Sequence, residues 1–161
     1  MKIYVDADSC PRPVREAVVR AARRTKIEAI FAANRSLTDI EGEYIRLELC
    51  PAGPDAADDR LVELARPGDL ALTRDVPLAA RLVERNVSVI DDRGKPYTKN
   101  NIGERLSMRD FLVSLATDNL APVRTSVYGR KELKAFADGF DRELTRLARE
   151  ELAKGELGKE N

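Results

Sequence analysis

Ile3-Tyr4-Val5-Asp6-Ala7-Asp8-Ser9-Cys10-Pro11 is the stretch on which the reading of this chain turns. Ile3, Tyr4 and Val5 are β-branched or aromatic, the side chains that fit a short buried strand. Asp6 follows with no polar residue between, so a carboxylate is predicted where the strand leaves its sheet. Asp8 comes two residues later, and Pro11 and Pro13 suit the first turn of a helix. In open α/β sheets ligands bind outside the carboxyl ends of strands. An Asp-x-Asp at that edge therefore points to a divalent cation or a phosphoryl group.

Outward from this stretch, strands and helices alternate. Val14, Ala17, Val18, Ala21 and Ala22 predict an amphipathic helix over 11–25, with Arg15, Arg20, Arg23 and Arg24 on its other face. Residues 27–33 read as a second strand, 34–43 as a polar loop and 44–50 as a third strand. Pro51-Ala52-Gly53-Pro54 breaks the chain. A helix then carries Asp55, Asp58, Asp59, Leu61 and Leu64 and ends at Arg66-Pro67-Gly68. Residues 69–73 form a short strand, Asp75 and Pro77 open a helix burying Leu78, Ala79, Leu82 and Val83, and 87–90 is the next strand. Asp91-Asp92-Arg93-Gly94 is a turn. Asn101-Ile102-Gly103-Glu104 has capping-box spacing, and the helix after it is expected to bury Ile102, Leu106, Leu112 and Leu115. Residues 119–129 read as a linker. Leu133, Phe136, Phe140, Leu144 and Leu147 mark a last helix over 130–153. This alternation implies βαβ units and a three-layer α/β fold with a mainly parallel central sheet. The expected division is an α/β domain over 1–118, a linker and C-terminal helix packing on it over 119–154, and a frayed tail over 155–161.

Composition narrows the chemistry. At 161 residues the chain can bury about 70% of its unfolded surface in one core. Its 28 basic and 28 acidic residues cancel, so any nucleic-acid binding must come from a local basic patch. No run approaches a membrane span and no signal pattern opens the chain, so a cytoplasmic location without membrane partners is expected. Cys10 and Cys50 do not make a disulfide framework, and both are expected to be reduced. The absence of histidine removes Ser-His-Asp and Cys-His catalysis and a zinc site of the usual ligands. A bound metal would need oxygen ligands, which favours Mg²⁺ or Mn²⁺.

Three acidic groups fall on one predicted edge: Asp6 with Asp8, Asp55 with Asp58 and Asp59, and Asp75. The i+3 and i+4 steps from Asp55 place Asp58 and Asp59 on one helical face. Clustered carboxylates repel unless a cation neutralises them. Such a site can polarise a phosphodiester and lower the pKa of bound water. Each acid alone also has a plainer role: Asp75 as an N-cap, Asp58 and Asp59 as first-turn acids, and Asp8 or Ser9 as a cap of the first helix. Asp6 has no such role by pattern. Arg74, Arg93, Lys95, Lys99, Arg105 and Arg109 lie in the same half of the chain and could contact phosphates, with Arg74, Arg93 and Arg109 the candidates retained. Most surface cations are simply solvated, and Arg109 has Asp110 beside it as an ion-pair partner. Tyr97 could stack on a base. Cys10 lacks a histidine base and reads as a small buried residue.

These stretches, with Gly68-Asp69-Leu70, Thr73-Arg74-Asp75-Val76-Pro77-Leu78-Ala79-Ala80, Arg93-Gly94, Tyr97-Thr98 and Met108-Arg109-Asp110-Phe111, resemble the YaiI/YqxD family of small bacterial proteins, which looks like a branch of the PIN-like nuclease superfamily. The resemblance covers about residues 3–115. It implies a PIN-like fold and a metal-dependent nuclease, with Asp6, Asp58 and Asp75 as catalytic acids. Asp6, Asp8, Asp55, Asp58 and Asp75 would be metal ligands for Mg²⁺ or Mn²⁺, and the substrate would be a nucleic acid, RNA foremost. The superfamily often adds a fourth acid where Asp91 and Asp92 stand. The YaiI/YqxD family does not usually keep one there, so both are left out of the core site. Residues 120–132 depart from the family's Gly- and Arg-rich segment but keep Arg124, Ser126, Arg130 and Lys131. A homodimer is compatible with the sequence.

Two other functions compete. A haloacid-dehalogenase-like phosphatase also ends an apolar strand in Asp-x-Asp; Asp6 would be its nucleophile, Asp8 its acid/base, Thr73 its phosphate-binding hydroxyl and Asp91-Asp92 its acidic pair. That superfamily follows its second aspartate with a Gly-rich turn, whereas Cys10-Pro11-Arg12-Pro13 enters a helix directly. The third reading is a non-catalytic metal-binding regulatory module.

Overall fold

The computed structural model describes residues 1–119 and 127–157. Six strands are β1 Ile3–Asp6, β2 Ala29–Ala33, β3 Ile45–Leu49, β4 Leu70–Leu72, β5 Ser88–Ile90 and β6 Pro96–Tyr97. Five helices are α1 Arg12–Thr25, α2 Ala56–Leu64, α3 Val76–Glu84, α4 Ile102–Thr117 and α5 Arg130–Leu157. The strands form one sheet in the order β3-β2-β1-β4-β5-β6. Five are parallel, and β6 pairs antiparallel with β5. The fold is the expected α/β class.

The strand order fixes where the helices go. From β1 the chain winds outward through β2 to β3, then returns across β1 to β4 and continues outward to β5. Right-handed crossovers that reverse direction place their helices on opposite faces of the sheet. Accordingly Ile3, Val5, Phe31, Leu70, Leu72 and Ile90 pack with α1 and α5 on one face. Tyr4, Ile30, Ala32, Ala71 and Val89 pack with α2 and α3 on the other. Alternate residues of each strand thus serve alternate layers. The reversal falls between β1 and β4, the crevice where open α/β sheets bind ligands.

Four expectations are corrected. The helix α4 buries none of its residues: Ile102, Leu106 and Leu115 are half-buried, and Leu112 is 56% exposed. It packs on α3 and stands off the sheet, so Met108, Phe111 and Val113 are exposed too. Asn101 does not cap α4; its Oδ1 accepts from the Thr98 N–H at 2.8 Å and stitches the preceding loop. Neither Asp8 nor Ser9 caps α1, whose N-cap position is Pro11. Arg15, expected on a solvated face, is buried, pairs with Asp39 at 3.0 Å and donates to the Cys10 carbonyl at 2.7 Å. The strand β6 is an addition; two residues led by proline carry no periodic signal.

The last helix packs where its apolar spacing predicts. Phe136, Phe140, Leu144 and Leu147 are buried against the α1 face, and Phe136 stacks on Phe140 with centroids 5.2 Å apart. The expected linker over 119–129 and the tail over 155–161 fall partly outside the described residues, Arg124 and Ser126 included; residues 155–157 belong to α5. The helix touches the 91–94 turn backbone to backbone. A Cβ on Gly139 would stand 2.7 Å from the Gly94 Cα, and Gly94 itself has φ +73°. Among the described residues no helix is long and apolar enough to cross a membrane.

This contact predicts that Gly139→Ala lowers stability by about 1–3 kcal/mol, the usual cost of overpacking. Gly103→Ala, which meets open space, is expected to be neutral or stabilising by up to about 1 kcal/mol. Urea-unfolding midpoints of the two variants check the contrast.

Candidate functional site

Asp6 is the last residue of the central strand β1 and is 5% exposed. The register pairs Val5 with Leu72, so the next step along both strands brings Asp6 beside Thr73. Asp6 shares the sheet face of Tyr4, and Thr73 that of Ala71. Thr73 Oγ1 donates to Asp6 Oδ2 at 2.7 Å and accepts from the Asp75 N–H at 2.9 Å. Burial raises the Asp6 carboxyl above its ordinary range. The Ser9 and Thr73 hydrogen bonds oppose that rise, and the Asp75 and Asp8 charges add to it.

Asp75 is the N-cap of α3, its Oδ1 accepting from the Leu78 N–H at 3.0 Å. The plainer role therefore holds for Asp75, and its other oxygen has no hydrogen-bond donor among the described residues. Asp58 lies in the first turn of α2, half-buried. Burial and then the charges of Asp6, Asp75 and Asp55 push its carboxyl up to about 6. Three separated segments of chain thus put carboxylates in one electrostatic field. Among the described residues, however, no three Asp, Glu, Cys or His side chains are arranged to hold a metal ion as they stand.

The remaining candidates lie around this group. Asp8 turns toward β2, where its Oδ2 accepts from the Asn34 N–H at 2.8 Å and Arg35 stands 3.7 Å away. Asp55 is exposed at the N-terminus of α2. Asp59 leaves the cluster and pairs with Arg81 of α3 at 2.8 Å. Arg109 pairs with Asp110 at 2.9 Å on the outlying helix α4. Arg105 covers the Tyr97 ring at 3.7 Å and pairs with Asp91 at 2.8 Å. Tyr97 is therefore buried and offers no open face for a base. Burial, with the Asp6 and Asp92 charges, drives the Cys10 thiol far above its ordinary value and keeps it protonated.

The turn after β5 holds two buried acids. Asp91 is fully engaged: Oδ1 accepts from the Arg93 and Lys95 N–H groups, each at 2.9 Å, and Oδ2 from Arg105. Asp92 is different. Arg93 donates to its Oδ1 at 3.3 Å, while its buried Oδ2 has no hydrogen-bond donor among the described residues. The Arg74 Nε stands 3.4 Å from that oxygen. From sequence both acids are left out of the core site because the YaiI/YqxD family does not usually keep an acid there, and nothing in the spacing of Asp91-Asp92-Arg93-Gly94 shows that this turn is buried.

The family model described as "Uncharacterized BCR, YaiI/YqxD family" matches residues 4–146. The chain belongs to the YaiI/YqxD family. It is 43% identical to the UPF0178 protein of Myxococcus xanthus over 151 residues, 94% of this chain and 99% of that one. It is 41% identical to the UPF0178 protein of Stutzerimonas stutzeri over 92% of this chain and 99% of the relative. For the UPF0178 protein of Treponema pallidum the identity is 47%, over 96% and 89%. No solved structure matches the chain. In this YaiI/YqxD protein the family match spans β1 through most of α5, so it takes in Asp6, Asp58, Asp75 and the C-terminal helix together.

Because Asp58 is raised from 3.8 to about 6 in the folded state, the fold binds its proton more tightly than the unfolded chain does. Its contribution to stability is complete below about pH 4 and is lost as pH rises through about 6. Asp58→Asn is therefore expected to raise Tm above pH 6 and to leave it unchanged below pH 4. Thermal melts across that range in the absence of divalent cations check it.

Proposed function

We propose that this YaiI/YqxD protein is a metal-dependent nuclease that hydrolyses phosphodiester bonds in RNA. The observation that carries the reading is the placement of acids from three separate segments: Asp6 at the end of β1, Asp58 in the first turn of α2 and Asp75 at the N-cap of α3, with Thr73 bonded both to the Asp6 carboxylate and to the Asp75 N–H. Burial, and then the charges of Asp6, Asp75 and Asp55, raise the Asp58 carboxyl in keeping with it. The resemblance to PIN-like nucleases assigns catalytic acids to these same three segments. The donor set suits a hard divalent cation by its all-oxygen chemistry and by the mutual repulsion that a cation would relieve. As they stand, no three of these side chains among the described residues are arranged to hold an ion, so binding requires the side chains to rearrange.

Asp6, Asp58 and Asp75 would hold Mg²⁺ or Mn²⁺, with Asp8 and Asp55 at the margins. When bound, the ion supplies Lewis-acid polarisation of the phosphate and a lowered pKa for its water. The protein's own part is orientation. Thr73 fixes one oxygen of Asp6, and the N-cap bond fixes one oxygen of Asp75. The winding reversal lies between β1 and β4, and the crevice outside the carboxyl ends of these strands is where open α/β sheets bind ligands; an extended strand of RNA would lie there.

End-labelled short RNAs, single-stranded and hairpin, incubated with Mg²⁺ or Mn²⁺ test the reading. Cleavage is expected to need the cation and to fall about 100-fold or more in Asp6→Asn, the scale seen when a transition-state-stabilising group is removed. The cation should also raise Tm in the wild type and not in the Asp6→Asn/Asp58→Asn double variant. A Tm rise without cleavage would instead establish a metal-binding module, and neither effect would remove both readings.

A further inference from the structure

The buried carboxylate of Asp92 lies in the turn after β5, outside the group formed by Asp6, Asp58 and Asp75. Its side chain is 3% exposed, and two arginines converge on it from different segments. Arg74 comes from the β4–α3 junction, between Thr73, which bonds Asp6, and Asp75. Arg93 comes from the same turn and lies over the Tyr128 ring at 5.9 Å. Tyr128 OH donates to the Asp92 carbonyl at 2.7 Å, and the Gly94–Gly139 contact holds the turn against α5. The carboxylate is thus paired with Arg74 and Arg93, and the turn that carries it is contacted by Tyr128 and by α5.

A buried carboxylate oxygen without a hydrogen-bond donor is costly. Asp92 keeps one, while the neighbouring Asp91 has none. Arg74 approaches this oxygen along its Nε edge at 3.4 Å, an ion-pair distance, and its side chain stays 53% exposed. Its Nη groups donate no hydrogen bond among the described residues. Its backbone N–H donates to Ser9 Oγ at 3.2 Å, tying it to the loop that follows Asp6 and carries Asp8. A guanidinium ion-paired along its Nε edge keeps its Nη N–H groups for a ligand, as a planar fork of the kind that grips phosphate.

We propose that Asp92 is a positioning residue that presents Arg74 as a phosphate clamp beside the carboxylate group, so that a phosphodiester oxygen of the RNA is gripped by Arg74. The proposal rests on the nuclease reading for its substrate class, yet it concerns binding and can be tested without turnover. Asp92 touches no substrate; it acts through Arg74. The acids and the clamp divide the work, since a phosphate needs cationic donors that the carboxylates cannot provide.

Fluorescence anisotropy of a short labelled single-stranded RNA, in an Asp6→Asn background with Mg²⁺, reads binding apart from cutting. Arg74→Ala is expected to weaken binding about tenfold and to reduce the slope of log affinity against log salt by about 1. Arg74→Lys should keep the slope but not the affinity, because an ammonium cannot present the fork. Asp92→Asn should weaken binding several-fold while Arg74 is present and have no further effect in Arg74→Ala, the non-additivity of residues acting as one unit. Thermal melts establish that each variant is folded at the assay temperature, and Asp92→Ser replaces Asp92→Asn should the latter not fold. Wild-type affinity in Arg74→Ala, additive losses in the double variant, an unchanged Asp92→Asn, or no RNA binding at all overturns the proposal. Arg74-dependent binding by a wild type that cuts no RNA would leave the clamp standing and remove the nuclease reading.

Discussion

The hydrogen bond from Thr73 to Asp6 is the constraint around which the carboxyl edge of this protein is arranged. A carboxylate at the end of the central strand is nine-tenths or more buried in a sheet whose neighbouring faces are apolar. Left alone, its charge would be expelled or neutralised. The parallel register of β1 and β4 supplies the remedy by setting a threonine beside it. The same threonine receives the Asp75 N–H, so the start of α3 is tied to the end of β1. One short bond thereby joins the two strands that flank the winding reversal, and α2 carries Asp58 into the field that results.

The arrangement separates charges of opposite use. Carboxylates that feel one another lie on the α2 and α3 side of the sheet, where Tyr4, Ala71 and Val89 point. On the other side, Asp92 neighbours Cys10 and Tyr128 and gathers arginines. Asp91 serves the turn itself, satisfying two backbone N–H groups and Arg105. Adjacent aspartates can have such different fates because successive residues leaving a strand face opposite layers. The C-terminal helix matters to both, since Gly139 sits against Gly94 and sets the height of the turn.

A large part of this was legible in the residues. The apolar runs and helical spacing of β1 to α3 and of α5 are strong because each element buries one complete face. The acids at Asp6, Asp58 and Asp75 were readable as a group because each stands at a strand end or in a helix's first turn. Legibility failed where burial depends on a distant partner. Arg15 looks like its neighbours Arg20 and Arg23, but only the fold brings Asp39 and the Cys10 carbonyl to it. Leu112 and Phe111 look like core residues, but α4 meets α3 and leaves them exposed. Asp59 follows Asp58 by one residue and turns instead to Arg81.

The sequence by itself determined the α/β class, the succession of elements and the placement of acids at their ends, because periodicity and proline or glycine punctuation act within a few residues of one another. Only the tertiary structure decided which acids share a field, that Thr73 would hold Asp6, and that Asp92 would be buried beside Arg74. Those outcomes depend on strand order and register, which juxtapose residues 67 positions apart, as with Asp6 and Thr73. Electrostatic coupling follows distance and burial in space, and neither quantity exists until the chain has folded back on itself.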